Sequence, residues 1–425
     1  MNPIILPNMP HKTQVEFKDN NISNDAGLSL IFSFFNTIHF KELIQKFLPD
    51  REDAKSTYIP KVDKMLFLIF MSIAGYKHDV AANSLKDDKI FKEVGDLFET
   101  CNQSTLSKFW NSLDESDYQA FEDINKAIIQ MVNDLEVEPP SVILDADSTL
   151  IATYGHQEGG KRCFHYNEHG YHPLLVIDDS NGCITGFMNR NGNAYTGKSS
   201  DELLKELFGS NITTENCIVR GDSGFSDPDI MELCEKLNVG YVLKMTKYVR
   251  LQKIVTEYYE THGKKNLFSI GYATKTTWSH KRRVVCEISG VDPKTGKLNM
   301  ECIVTNLKLS NQEVMDLYNG RGNMENGIKE FKTGFGGSVA PSKLFMTNSC
   351  RMMISIIAFN LMILFKKMIL KGQPNYTIET LRFHLFHIGG KIIKHAGKLT
   401  VQISSCYVDQ DLFEYALANL TKMAC

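Results

Sequence analysis

The 425-residue sequence lacks the long apolar runs that cross membranes. Its longest apolar stretch, residues 352–365, is interrupted by Asn360. It is shorter than the roughly 20 residues that a bilayer span needs. Residues 1–14 contain no basic segment followed by an apolar core, so they do not resemble a secretory signal. We therefore expect a buried core helix at residues 352–365, no membrane association and a cytoplasmic location.

Paired cysteines are also missing. The ten cysteines are scattered without a C-x-x-C pair, and several, such as Cys217, Cys234 and Cys302, lie in apolar runs. This distribution fits reduced thiols and argues against a disulfide framework or a structural zinc site.

Four histidines cluster without the companions that zinc requires. No cysteine pair or H-E-x-x-H spacing accompanies them. We interpret this segment as a polar loop near a functional site; the histidines are His156, His165, His169 and His172.

A strong net charge is absent, since 47 Lys and Arg stand against 50 Asp and Glu. Taken alone, this balance argues against a nucleic-acid partner. The total nevertheless averages two unlike parts, because residues 1–140 carry 14 basic and 22 acidic residues and residues 141–425 carry 33 and 28. Residues 244–283 and 343–398 are strongly basic. Such stretches can neutralise nucleic-acid phosphates.

The order of patterns predicts several regions in an α/β chain. Apolar residues make up 43% and charged residues 23%, which excludes disorder and collagen-like structure. The pattern of the N-terminal residues is helical as far as a Pro-Pro linker, after which short predicted strands alternate with predicted helices. The predicted regions are a helical N-terminal domain (1–138), an α/β core (139–245), a β-rich insertion (246–308), a second part of the core (309–370) and a helical C-terminal region (371–425).

Acidic residues follow two predicted strands and lie on one predicted helix. Asp145 and Asp147 end the strand in LDADST, Asp222 ends the strand in IVRGDSGF, and Glu325 lies in a helical stretch. Carboxylates at the ends of adjacent strands can converge, and hard oxygen ligands suit Mg²⁺. Each motif taken singly is more typical of a turn, a helix cap or a solvated helix face.

The third acidic segment has typed residues at fixed spacing. Tyr318, Arg321, Glu325 and Lys332 form the pattern Y-x2-R-x3-E-x6-K. This pattern resembles the signature of DDE transposases of bacterial insertion sequences, the cut-and-paste type. The segments around Asp147 and Asp222 also resemble the family's first and second Asp motifs, and the likeness extends from about residue 15 to 370.

The resemblance implies an RNase H-like catalytic core interrupted by a β-rich insertion. It implies that Asp147, Asp222 and Glu325 are the catalytic triad and bind two Mg²⁺ ions, with Mn²⁺ as a substitute. The choice between Asp147 and Asp145 stays open, because residues two apart on a strand share a face. The family pattern favours Asp147.

The resemblance also implies DNA contacts. Tyr318, Arg321 and Lys332 would bind the transposon-end DNA near the active site. α-Helical spacing places Arg321, Glu325 and Lys332 on one face, although Gly320, Gly322 and Gly327 weaken such a helix.

The insertion offers a further candidate DNA surface. Trp278 lies beside the basic triplet Lys281, Arg282 and Arg283. An aromatic side chain there could stack a flipped base, as in related enzymes, while a core position for Trp278 is the alternative. Residues 103–110 could form the recognition helix of a helix-turn-helix or part of an ordinary helical hairpin.

The sequence therefore predicts a bacterial transposase that acts on double-stranded DNA at transposon ends and target, as a homodimer, and that is nucleoid-associated when bound. Two alternatives stay open. Asp145, Asp147 and Thr149 fit the D-x-D-x-T motif of haloacid dehalogenase-type phosphatases, with Asp145 as nucleophile. The other alternative is a DNA-binding relic without catalytic activity.

Overall fold

The computed structural model describes residues 4–5, 14–15, 21–49, 59–94, 97–135, 141–210, 212 and 214–423. The chain divides into two compact units. Met1–Ser112 and Met368–Cys425 form one unit, and Leu113–Lys367 forms the other. The first unit thus combines both ends of the sequence.

The N-terminal part of the first unit is mainly helical in its described residues. Its elements are β1 (Ile4–Ile5), β2 (Gln14–Val15), β3 (Ile22–Ser23), α1 (Ser29–Thr37), α2 (Phe40–Phe47), α3 (Lys61–Ala74), α4 (Ala82–Leu85) and α5 (Gln103–Asn111).

Helix α3 shows how the local sequence ends an element. Gly75 has φ of 90° and donates its N–H to the Ser72 carbonyl at 3.1 Å. The Tyr76 N–H reaches back to the Met71 carbonyl at 2.8 Å. This pair of bonds is a Schellman motif, which requires a left-handed residue that glycine adopts without strain.

The second unit contains most of the strands. Its elements are α6 (Glu115–Asn133), β4 (Ile143–Ser148), β5 (Ile151–Ala152), β6 (Lys161–Cys163), β7 (Glu168–Tyr171), β8 (Leu174–Asp178), β9 (Ile184–Met188), α7 (Ser200–Ser210), β10 (Ile218–Gly221), α8 (Pro228–Lys236), β11 (Gly240–Lys244), α9 (Val249–Thr261), β12 (Leu267–Tyr272), β13 (Arg282–Val291), β14 (Leu298–Thr305), α10 (Asn311–Asn319), α11 (Gly322–Lys329) and α12 (Phe345–Ile369).

One mixed eight-stranded sheet organises this unit. Its order is β12-β13-β14-β11-β10-β4-β8-β9. Strands β4, β10 and β11 run parallel, whereas β8 and β9 extend the sheet antiparallel on the β4 side. The segment predicted as a β-rich insertion starts with helix α9, and its strands join the same sheet because β14 pairs with β11. The predicted α/β class is therefore confirmed as a mixed fold with one large sheet.

Strand β4 places different chemistry on its two faces. Leu144 and Ala146 point into the main hydrophobic core, while Asp145 and Asp147 alternate with them. This is the period of two that a pleated strand imposes. The carboxylates therefore share the opposite face, as the sequence spacing predicts.

Helix α12 is long and apolar enough to cross a membrane, but 78% of its apolar window is buried inside the protein. A bent helix pair in the first unit, Lys61–Ala74 with Asp79–Leu85, also passes the length and composition test together. Within α12, Asn360 is fully buried, and its amide bonds Asn125 Oδ1 at 2.8 Å and the Ile184 carbonyl at 2.9 Å. The Asn360 oxygen accepts the Ile184 N–H at 2.9 Å. Such satisfied polar groups are typical of a core helix.

The C-terminal region is not helical throughout, contrary to the prediction. It contains α13 (Ile378–Leu381), β15 (Gly390–His395), β16 (Lys398–Ile403) and α14 (Gln410–Met423). Ala396 and Gly397 join the two strands with φ of 49° and 77°. A two-residue loop with positive φ at both positions matches the twist of a hairpin. The less common Ala-Gly pair concealed this turn in the sequence.

Candidate catalytic site at the sheet edge

Two carboxylates meet where parallel strands end. Asp147 is the penultimate residue of β4, and Asp222 directly follows β10. Gly221 pairs with Ala146 in the parallel register, so the next residues on the two strands are neighbours. Burial raises the pKa of Asp147; the Arg321 guanidinium opposes this shift, and the Asp222 charge adds to it. The two carboxylates therefore lie close enough for the charge of Asp222 to act on Asp147.

A tight turn holds Asp222. Its Oδ1 accepts the Gly224 N–H at 2.8 Å, and its carbonyl accepts the Phe225 N–H at 3.0 Å. A Cβ on Gly224 would lie 2.4 Å from the Thr196 side chain. Glycine is needed there because the turn packs so closely that no side chain fits.

Asp145 has a different environment from Asp147. It is fully buried, and its Oδ2 lies 2.6 Å from Nη2 of Arg220, which is itself 1% exposed. Nε of Arg220 completes a bidentate pair. The same guanidinium binds Asp179 at 2.9 Å and the Leu317 carbonyl at 2.6 Å. Burial raises the pKa of Asp145, and Arg220 opposes the shift. Asp145 is thus committed to an internal ion pair.

Arg321 bridges helix α11 to strand β4. Its Nη2 lies 2.6 Å from Oδ2 of Asp147, and both side chains are largely shielded from solvent. Nε of Arg321 is buried without a hydrogen-bond partner. Glu325 lies one turn further along α11 and is exposed. Helical spacing therefore puts Glu325 one turn from the residue that contacts Asp147, on the same side of the helix.

The glycines around α11 serve packing within the protein. A Cβ on Gly320 would lie 2.6 Å from Nη1 of Arg220, and one on Gly327 would lie 2.9 Å from Ile177. Gly322 has open space around it. The helix can thus approach the sheet closely at the first two positions.

Lys332 lies on the other side of the β4 end. It occupies a π-helical turn, Glu330–Gly334, so α-helical spacing no longer applies there. Its ammonium donates to the Thr149 hydroxyl at 3.0 Å and the Leu150 carbonyl at 2.9 Å. Burial lowers the pKa of Lys332. Arg321 therefore places positive charge at Asp147, and Lys332 places it two to three residues further along the chain, at Thr149 and Leu150.

The donor chemistry suits a hard divalent cation. Carboxylate oxygens from Asp147 and Asp222 lie at one edge, and a third carboxylate is one helix turn from Arg321. Within the described ranges, no three His, Cys, Asp or Glu side chains are close enough to hold a metal ion. Arg321 is the cation that contacts Asp147.

Two residues predicted to bind DNA, Tyr318 and Trp278, are buried. Tyr318 is 7% exposed in a small core cluster beneath Lys244, whose ammonium lies 5.7 Å from the ring centroid. Burial raises the pKa of Tyr318. Trp278 is 9% exposed and packs edge-on against Tyr272.

The basic triplet splits into three environments. Arg282 is 4% exposed and forms a bidentate ion pair with Glu235 at 2.7 and 2.8 Å. Arg283 donates to the carbonyls of Leu307 and Leu309. Lys281 is exposed and borders a surface cavity of about 420 Å³ that is also lined by His280 and Lys308.

The histidine-containing segment lies close to the carboxylates. The Tyr166 hydroxyl approaches the Ser148 carbonyl at 3.4 Å, and burial raises the pKa of Tyr166, with the Asp147 charge adding to the rise. His172 is buried and bonds the Ala194 carbonyl through Nδ1. Sequence reasoning did not identify Tyr166, Arg220 or Asp179 as site residues, because no motif marks them.

Comparisons with known proteins agree with the likeness found in the motifs. The family model described as "Transposase DDE domain group 1" matches residues 7–425. One solved structure that matches this chain is described as a cryo-EM structure of piggyBac transposase synaptic complex with hairpin DNA. That chain is 14% identical, with 94% of this chain and 82% of that chain covered and a TM-score of 0.46. No curated protein matches.

Proposed function

Because this chain belongs to the DDE transposase family, we propose that it binds transposon-end inverted repeats, cleaves their phosphodiester bonds and joins the 3′ ends to target DNA. The observation that carries the proposal is the placement of Asp147 and Asp222 side by side at the ends of parallel strands, with Arg321 at the start of α11 in contact with Asp147. DNA transposition is the activity of the family; the residue roles are our proposal.

Strand topology supports an RNase H-like core. Five strands follow the order β9-β8-β4-β10-β11, in which the first three are antiparallel and the last two run parallel to β4. We assign residues 139–245 and 309–370 to this core and residues 246–308 to an insertion that widens the sheet. Residues 1–138 would contact the DNA ends.

We assign metal binding to Asp147, Asp222 and Glu325. Two Mg²⁺ ions, or Mn²⁺ in their place, would activate the attacking oxygen and stabilise the leaving oxygen of the phosphodiester. Water would attack the phosphorus and release a 3′-OH, which would then attack a target phosphodiester and displace its 3′ oxygen. Asp147 and Asp222 would orient these steps from the rigid sheet edge, and Glu325 would close the site from α11.

Arg321 and Lys332 would position the DNA backbone. Their cationic groups lie beside Asp147 and Thr149, where a scissile phosphate must come to reach the carboxylates. Because Tyr318 lies in a core cluster, it would hold the Arg321 segment in place from within the protein, and any contact it makes with DNA would be local.

Two DNA ends must be paired for transposition, so we propose a homodimer on DNA and a cytoplasmic, nucleoid-associated location in a bacterium. The phosphatase alternative requires Asp145 to attack a substrate. Its full burial and bidentate pairing with Arg220 argue against that role.

Removal of divalent metal tests the proposal directly. A duplex from the inverted repeats that border this gene should be nicked in Mg²⁺, left intact in EDTA and nicked again when Mg²⁺ or Mn²⁺ is restored, because the carboxylates need a hard cation. The measurement is end cleavage on a sequencing gel. Equal cleavage in EDTA would rule out the metal mechanism, and no cleavage of any repeat-bearing DNA would rule out the activity.

The basic triplet gives a second test. Changing Lys281 to Ala should remove one phosphate contact. The slope of the logarithm of the binding constant against the logarithm of the salt concentration should then become shallower by about 0.9, and thermal stability should not change. Changing Arg282 to Ala should instead lower the free energy of unfolding by about 2 kcal/mol, because it leaves Glu235 without its bidentate partner. Binding titrations in a salt series and chemical denaturation measure the two effects. If the Arg282 variant instead changed the salt dependence and the Lys281 variant lowered the stability, Arg282 and not Lys281 would contact the DNA.

A further inference from the structure

The hairpin β15–β16 of the first unit, residues 390–403, is a basic ribbon outside the catalytic site. It contains Lys391, Lys394, His395 and Lys398 and no acidic residue. Strand β3 pairs only with its base, at Gly390 and Lys391. Among the described residues, the ribbon therefore has two strands from Ile393 to the turn, and β16 is an edge strand.

The register separates the ribbon into two faces. One face pairs Ile392 with Val401 and Lys394 with Leu399, and Ile392 is 2% exposed, so this face packs toward its own unit. The other face points outward; its cross-strand pairs are Lys391 with Gln402, Ile393 with Thr400, and His395 with Lys398. Lys391, His395, Lys398 and Gln402 are all exposed.

The outward face has the shape and chemistry of a DNA reader. A two-stranded ribbon fits the major groove, which is about 12 Å wide. Lysines bind phosphates or guanine, and a Gln amide can pair with the N6 and N7 groups of adenine. Residues 390–403 contribute no carboxylate to this face, so none of the hairpin's own side chains repels the phosphate backbone.

We propose that this ribbon enters the major groove of the transposon end, where Gln402 and Thr400 contact base edges and Lys391 and Lys398 bind phosphates. The inference rests on the proposed function, because it takes the double-stranded transposon end as ligand. It adds a site for sequence recognition in the C-terminal region, separate from the carboxylates that would cleave the DNA.

Binding by the full chain tests the ribbon. Fluorescence anisotropy would compare a duplex of the bordering inverted repeat with a scrambled duplex of the same length over a salt series. Changing Gln402 to Ala should reduce the preference for the repeat by about 5- to 100-fold. The double variant Lys391→Ala and Lys398→Ala should weaken binding to both duplexes and reduce the salt slope by about 1.8.

The matched control is Lys394→Ala, an exposed lysine on the opposite face of the same strand, whose charge acts on Glu93. It should change affinity by less than about threefold, since its remaining effect is screened. Thermal unfolding must be unchanged in every variant used. Methylation of guanine N7 in the repeat, which places a methyl group in the major groove, should also weaken binding by the wild-type chain.

The outcomes separate the two proposals. If the wild-type chain shows no preference for the repeat, recognition of transposon ends fails. If it does prefer the repeat, and the Gln402 and double-lysine variants keep both the wild-type preference and the wild-type salt slope, the ribbon proposal is overturned while the proposed function stands. An effect of Lys394→Ala as large as that of the outward-face variants would also overturn it.

Discussion

Replacement of Glu325 by Gln is expected to reduce Mg²⁺-dependent end cleavage by at least about 10³-fold, because loss of a metal-binding carboxylate removes several kcal/mol of transition-state stabilisation. Glu325 is exposed on α11, so the fold should not depend on its charge. The free energy of unfolding and the affinity for uncleaved end DNA should stay close to those of the wild-type chain. Single-turnover cleavage and denaturant unfolding measure these quantities.

Asn326→Ala is the matched control, since it changes the adjacent exposed residue of the same helix. Its cleavage rate should remain within about twofold of wild type, as for an ordinary surface substitution. A Glu325→Gln chain that cleaves within about tenfold of the wild-type rate would remove Glu325 from the metal site. Phosphate release from a simple aryl phosphate that is insensitive to this change would favour the phosphatase alternative.

Local sequence patterns predicted the strands that carry the candidate catalytic carboxylates. The apolar residues 241–243 lie within β11 (Gly240–Lys244), and helix α5 begins after Asn102, whose side chain accepts the Thr105 N–H at 2.9 Å as an N-cap residue does. The positions of Asp147 and Asp222 could be predicted because apolar strand residues precede each of them. Their proximity then follows from the parallel pairing of β4 and β10.

Contacts between distant residues carried no such signal. The Asp145–Arg220 pair depends on the register of two strands, and the periodicity of either strand does not specify that register. Arg282 belongs to a basic run that predicts a solvated surface, yet its partner Glu235 comes from α8. Pairings of this kind depend on tertiary packing, which overrides local composition.

The hairpin at residues 390–403 escaped prediction for a local reason. Lysines interrupt the apolar residues of β15, and the Ala396-Gly397 turn lacks the usual Asn or Asp. The same lysines that obscure the strand pattern give the ribbon its charge. A functional surface can thus weaken the signal by which its own secondary structure would be predicted.

Replacement of Asp145 by Ala is expected to lower the free energy of unfolding by about 3–5 kcal/mol, because it leaves the buried Arg220 guanidinium without its bidentate partner. Arg220 is 1% exposed, so water cannot replace the lost carboxylate. For a unit of this size, such a loss corresponds to a fall in melting temperature of about 10 °C. Denaturant titration and calorimetry would measure it.

Asp179→Asn is the matched control, since Asp179 binds the same guanidinium at 2.9 Å but its side chain is 17% exposed. Its cost should be about 1 kcal/mol, as for a partly solvated ion pair. The double variant Asp145→Leu and Arg220→Met should recover part of the loss, because apolar replacement of both partners removes the uncompensated charge. If Asp145→Ala instead unfolds like the wild-type chain and abolishes activity, Asp145 acts in chemistry. Its buried pairing with Arg220 would then have to open in the working enzyme.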